Sequence, residues 1–159
     1  MKKRILTVVG VLALAAVLVV SLVACIPSDP SKAEENLKAE GYDVIVVNSD
    51  DVLGIAGLAL PDGCVTQVSG SKVLSGDLGD SIAIYYFEDS DAATAYMDKN
   101  ADWQGEIDVE IAELEDAYKA GEISENDFNS MKDLLESVQM KKQGKIVYVG
   151  SADAIKAAK

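Results

Sequence analysis

Three oxygen-bearing side chains at every second residue, Asp98, Asn100 and Asp102, have the spacing most like a cation loop. Oxygens at positions one, three and five suit a hard divalent ion, but such a loop also needs glycine at six and a bidentate glutamate at twelve. Trp103 and Val109 stand at those two places, with Gly105 and Glu110 displaced, so these acids read as an ordinary helix junction. Asp77 with Asp80, and Glu88 with Asp89 and Asp91, are carboxylates of the type used on glycosides, yet nothing sets either group across a cleft. Tyr85, Tyr86 and Tyr148 could line a binding face, although strand tyrosines are more often core. The chain contains no histidine, which removes His-dependent triads and most zinc sites. There is also no glycine-rich phosphate loop, nucleophile elbow or Cys-x-x-Cys. No catalytic residue, metal ligand or cofactor is expected, and the chain does not read as an enzyme.

The residue with the clearest chemistry is Cys25. Lys2, Lys3 and Arg4 precede an apolar run from Ile5 to Ala24, broken only by Thr7, Gly10 and Ser21. A basic start, an apolar middle and a small residue before the cut make a secretory signal rather than a folded element. The run is also long enough to span a bilayer, so an uncleaved anchor is the competing reading. Both readings put the rest of the chain outside the cytoplasm. The run closes on Leu22-Val23-Ala24-Cys25, which resembles the lipobox of bacterial lipoproteins. That resemblance implies a diacylglycerol thioether on Cys25, cleavage between Ala24 and Cys25, and a mature chain that begins at the lipid-bearing cysteine. A plain anchor has no need of cysteine directly after Leu-Val-Ala. Two or more acyl chains, palmitate among them, give stable attachment, since each buried CH2 contributes about 0.8 kcal/mol. The implied location is the cell membrane, facing the surface or, where an outer membrane exists, the periplasm.

Removal of residues 1–24 would leave 135 residues, enough for a single domain with one core and too short for a two-lobed solute receptor. Three of the 14 Lys+Arg leave with the signal, so 11 cations face 27 Asp+Glu and the net charge becomes −16. A surface this acidic repels nucleic acid and anionic lipid alike, and suits a domain held off the membrane. With lipid on Cys25, Cys64 has no disulfide partner; between Gly63 and Val65 it reads as a small buried side chain.

Residues 25–30 read as an extended tether with two prolines. Over 31–159 the pattern predicts one α+β domain. Ser31 with Glu34 has the spacing of a capping box for a first helix that Gly41 stops. Tyr42–Val47, Cys64–Val68, Ile82–Phe87 and Lys145–Val149 read as strands. Val52–Leu60 is ambiguous, Pro61-Asp62-Gly63 is a turn, and Ser69–Asp80 reads as a loop. Asp89 or Ser90 caps a helix with Ala93, Tyr96 and Met97 on one face, and Ser151 caps a last short helix. Ile84, Tyr86, Asp91 and Ala92 match Ile146, Tyr148, Asp153 and Ala154 at one constant offset. A repeated strand–helix unit suggests a two-layer α/β sandwich with helices on one face, of which a split, ferredoxin-like repeat is one form.

Between the two units, at about residues 105–142, lies a helical hairpin. Ile107, Ile111, Leu114 and Tyr118 form a stripe at helical spacing, Gly121 stops that helix, and Ser124 caps a second with Asp127 in the capping-box position. Phe128, Met131, Leu135 and Val138 continue the stripe, with Lys141, Lys142 and Gly144 closing the second helix. The passage from Leu114 through Gly121-Glu122-Ile123-Ser124 to Phe128 and Leu134-Leu135 is similar to SHOCT, a short helical hairpin found at the C-terminal ends of many bacterial proteins. That likeness implies docking or self-association through residues 106–142 rather than catalysis, although here the hairpin is internal. The plainer expectation is that the stripe packs on the chain's own sheet. Two functional readings follow: a membrane-anchored lipoprotein that makes protein contacts, or a surface module for a small ligand or divalent cation using the Asp98–Glu110 acids or the sheet tyrosines.

Overall fold

In a computed structural model the described residues are 25–50, 60–73 and 79–159. The expected signal segment, nearly all of the ambiguous stretch from Val52, and Asp77 lie outside them. The elements are α1 (Pro30–Ala39), β1 (Asp43–Asn48), β2 (Cys64–Val73), β3 (Gly79–Phe87), α2 (Ser90–Lys99), α3 (Trp103–Lys119), α4 (Glu125–Ser137), β4 (Gln139–Gln143), β5 (Ile146–Gly150) and α5 (Ala152–Ala157). The strands form one sheet in the order β1-β2-β3-β5-β4, with every neighbouring pair antiparallel. The fold is α+β, as expected.

β3 is the central strand, and its alternation explains the layers. Ile82, Ile84 and Tyr86 point to one face, where Leu37 of α1 and Ala154, Ile155 and Ala158 beyond β5 complete the larger core. Tyr85 and Phe87 point to the other, where α2 brings Ala93, Tyr96 and Met97. Tyr96 packs on both rings, with centroids 5.2 Å from Tyr85 and 5.4 Å from Phe87. The helices therefore do not share one face. α1 and α5 cover one side and α2 the other.

The matched units behave accordingly. Their strands sit side by side in antiparallel register, with Ile84 opposite Tyr148 and Tyr86 opposite Ile146. Their helices leave for opposite faces, because the apolar stripe of α2 meets Tyr85 and Phe87 while that of α5 meets the Ile82–Ile84 side. The similarity is one of strand and cap grammar and does not extend to a repeated fold unit.

Four local expectations are corrected. α1 is capped by Asp29, whose Oδ1 accepts from the Ser31 N–H at 3.0 Å, with Pro30 in the first turn where a missing N–H costs nothing. The described ends of the Ser69–Asp80 segment are strand: Ser71 pairs with Ser81 and Lys72 with Asp80, and a Cβ on Gly70 would meet Leu37 Cδ1 at 3.1 Å, so the small residue lets α1 approach. The second hairpin helix ends at Ser137, and Lys141 and Lys142 belong to β4, which pairs with β5 from Gln139↔Gly150 to Gln143↔Ile146. The two-residue turn between them is made by Gly144, at φ 57°, and Lys145; a positive φ at the first turn position suits the twist of a tight hairpin.

Residues 25–30, finally, are no loose tether. Ile26 is 1 % exposed and belongs to the larger core. Removing a buried isoleucine's branches loses the transfer energy and leaves a cavity. Ile26→Ala should therefore lower the unfolding free energy in urea by about 2 to 5 kcal/mol. A change within about 0.5 kcal/mol, the range of ordinary surface substitutions, would mean that the segment is not packed in solution.

Candidate functional site

The seat of Cys25 is built by β4 and β3. The Ile26 N–H donates to Gln143 Oε1 at 3.1 Å, and Gln143 Nε2 donates to the Ile26 carbonyl at 3.0 Å. The side-chain amide thus satisfies both polar groups of one backbone residue, much as a neighbouring strand would. Tyr86, buried among the core residues, donates its hydroxyl to the Pro27 carbonyl at 3.0 Å. Burial, and secondarily the charge of Asp29, pushes the Tyr86 pKa well above its ordinary value. The Cys25 thiol is exposed directly ahead of this clamp. Among the described residues no helix is long and apolar enough to cross a membrane.

The hairpin is the second feature. α3 and α4 form as the stripe and caps predict: Ser124 Oγ accepts from the Asp127 N–H at 3.2 Å and donates to Asp127 Oδ2 at 2.6 Å. Tyr118 stacks on Phe128 with centroids 4.6 Å apart, and Lys132 Nζ lies 3.1 Å from Glu115 Oε1. Each helix's main packing partner is the other, and neither contains a buried residue. One side of α4, at Ser130, Leu134 and Ser137, faces Ser151 and Asp80 across a shallow hollow. The stripe is therefore not absorbed by the sheet.

Asp80 is the buried carboxylate, 5 % exposed. Tyr42 donates to its Oδ2 at 2.5 Å, and the Ser151 hydroxyl donates to its Oδ1. Ser151 also accepts the Ala154 N–H at 3.2 Å, so one carboxylate ties β1's approach, β3's start and α5's cap together. Beside it lies a cleft of about 640 Å3 edged by Glu40, Lys72, Asp153 and Lys156. Lys72 is already committed, donating to the Glu40 carbonyl at 2.8 Å with its Nζ 5.6 Å from the Tyr42 ring centroid. Asp80's partners are 38 and 71 residues away in sequence, so no local pattern announces this network.

The other candidates fall apart in space. Asp98 sits in the last turn of α2, Asn100 caps that helix and donates its amide to the Tyr96 carbonyl at 2.7 Å, and Asp102 precedes α3. No group of three potential ligands converges on a metal position among the described residues. Asp89 is the α2 cap, accepting from the Asp91 and Ala92 N–H groups at 2.9 Å each. Tyr85 lies on the opposite face from Tyr86 and Tyr148, so the three do not share a surface. A bulge at Val65 turns Cys64 onto the α2 side beside Phe87 and Val147, and burial raises its thiol to about 11 despite hydrogen bonding to the backbone.

No protein-family model matches the chain, and no curated protein and no solved structure matches it either.

A thiol held this high and covered is a poor nucleophile. Cys64 should stay unmodified by iodoacetamide in the native protein near neutral pH and react only on unfolding, as mass spectrometry would show; native-state alkylation would contradict its burial. Tyr42, Tyr86, Tyr96 and Tyr148 all have raised pKa values, chiefly from burial. Groups raised in the folded state contribute stability in full below their unfolded value, about 10 for tyrosine, and lose it as pH climbs through the folded values. The melting temperature should therefore fall steeply above about pH 10 for these groups.

Proposed function

We propose that this chain is an exported lipoprotein, fixed to the outer side of the cell membrane through acyl groups on Cys25, and that its work is protein contact rather than catalysis. The observation that supports the anchoring is the setting of Cys25: its thiol is exposed directly ahead of Ile26, a core residue held in place by Gln143. An apolar run ahead of that point and a thiol at it fit export followed by lipid transfer. The contact role is assigned to the α3–α4 hairpin. An apolar stripe on two helices without a buried residue is a surface with area still to cover. Its likeness to SHOCT supports the same role, with a second copy of the chain as the simplest partner.

The competing reading, a small-ligand or cation module, has one feature in its favour: the cleft beside Asp80. Its central groups are already paired, Asp80 with Tyr42 and Ser151, and Lys72 with Glu40. The acids first considered for a cation are dispersed over α2, the junction and α3. A calcium titration followed by Trp103 fluorescence should accordingly be flat.

Cys25→Ser should leave an uncut precursor whose N-terminal peptide carries no diacylglycerol, read by mass spectrometry. A serine variant that matures at the same bond would refute the assignment. For the hairpin, Leu114→Asp and Leu135→Asp should shift the detergent-extracted protein to a smaller sedimenting species, with far-UV circular dichroism unchanged. Unaltered mass in a folded variant would remove the self-association role.

A further inference from the structure

The lipid attachment point is not on a leash. Ile26 is buried and both its backbone polar groups are held by Gln143, so Cys25 is fixed at the edge of β4. Gln143 closes β4 two residues after Lys141, and Gly144 with Lys145 turns the chain into β5. Any bilayer entered by acyl chains on Cys25 must therefore approach the β4–β5 hairpin.

That hairpin carries Lys141, Lys142 and Lys145, all exposed, within five residues of a chain rich in acids. None of the three is among the described ion pairs, which occupy Lys38, Lys119 and Lys132 instead. Lys142 donates to Ser90 Oγ at 3.0 Å, a neutral partner that leaves its charge in place. The neighbouring acids Asp29 and Asp89 keep their charge as well, but each accepts N-terminal amides, of α1 and α2, where the positive end of the helix dipole partly offsets it. Charges farther from a membrane than the screening length, about 8 Å at physiological salt, contribute little to its attraction or repulsion. What the headgroups meet is this local cationic edge. The domain's net charge, which alone would predict repulsion, acts on the headgroups only through the part that lies within that range.

We infer that the β4–β5 hairpin, through Lys141, Lys142 and Lys145 beside Cys25, seats against the anionic phospholipid headgroups of the membrane that holds the anchor. This rests on the acylation of Cys25 proposed above. The seat fixes the orientation of the domain, with one sheet edge down.

The test is lysine footprinting on the full lipidated protein, reconstituted in vesicles of phosphatidylcholine alone or of phosphatidylcholine with phosphatidylglycerol. Acetylation by a brief pulse of an N-hydroxysuccinimide ester is read lysine by lysine in the mass spectrometer. Lys141 and Lys145 should acetylate about fivefold more slowly on the anionic vesicles, the factor expected for a lysine drawn to such a surface. High salt should abolish the difference, and Lys119, at the far end of α3, should be indifferent to lipid composition. Equal rates at Lys141 and Lys145 on both vesicle types, with diacylglycerol present on the Cys25 peptide, would overturn the seat alone. A Cys25 peptide without lipid would overturn the anchoring and the seat together. Glutamine at both positions, Lys141→Gln with Lys145→Gln, should raise native labelling at Lys142, the remaining lysine of the seated edge, only on anionic vesicles; no such gain would also count against the seat.

Discussion

Burial of β3 on both faces is the constraint from which the architecture follows. A central strand with Ile82, Ile84 and Tyr86 on one side and Tyr85 and Phe87 on the other must be covered twice. α1 and α5 supply one cover and α2 the other, and the flanking hairpins supply neighbours for its backbone. At its start, Asp80 extends the same logic to polar groups. A buried carboxylate is tolerable only when its oxygens are occupied, and Tyr42 and Ser151 occupy them. Removing that carboxylate would strand a phenol and a helix cap from different ends of the chain, so the strand organises the polar interior as well as the apolar one.

Sequence patterns carried information where the determining contacts were local. The Ser124–Asp127 cap, the Ala93–Tyr96–Met97 face and the turn at Gly63, with φ 73°, all depend on residues a few positions apart. Patterns failed where a distant partner decided the outcome. Lys141 and Lys142 look like a basic helix end, yet pairing with Val147 and Tyr148 makes them strand. Ser69–Asp80 is poor in apolar residues, yet its described ends pair as β2 and β3 and Gly70 gives α1 room. Ile26, between Cys25 and Pro27, has nothing local to mark it as core; it is held there by Gln143, with Tyr86 bonding the next carbonyl. The same reason hid the Asp80 network, whose partners come from 38 and 71 residues away.

The domain has two unlike surfaces at its extremities. One is the hairpin of α3 and α4, whose apolar stripe is shared between two helices and sealed by neither. The other is the basic β4–β5 turn in a chain whose charge is otherwise strongly negative. Excess acid keeps most of the surface solvated, so what remains uncharged or cationic stands out as the place where contact costs least.

The clamp between Ile26 and Gln143 spans 117 residues, so it joins the start of the described chain to the last hairpin of the sheet. A polypeptide made N-terminus first offers Ile26 early and Gln143 late. The clamp can therefore close only when nearly all of the chain is at hand. Closing so large a loop is the slow kind of step in folding. Topology alone thus sets the seating of Ile26 late in the assembly of the sheet.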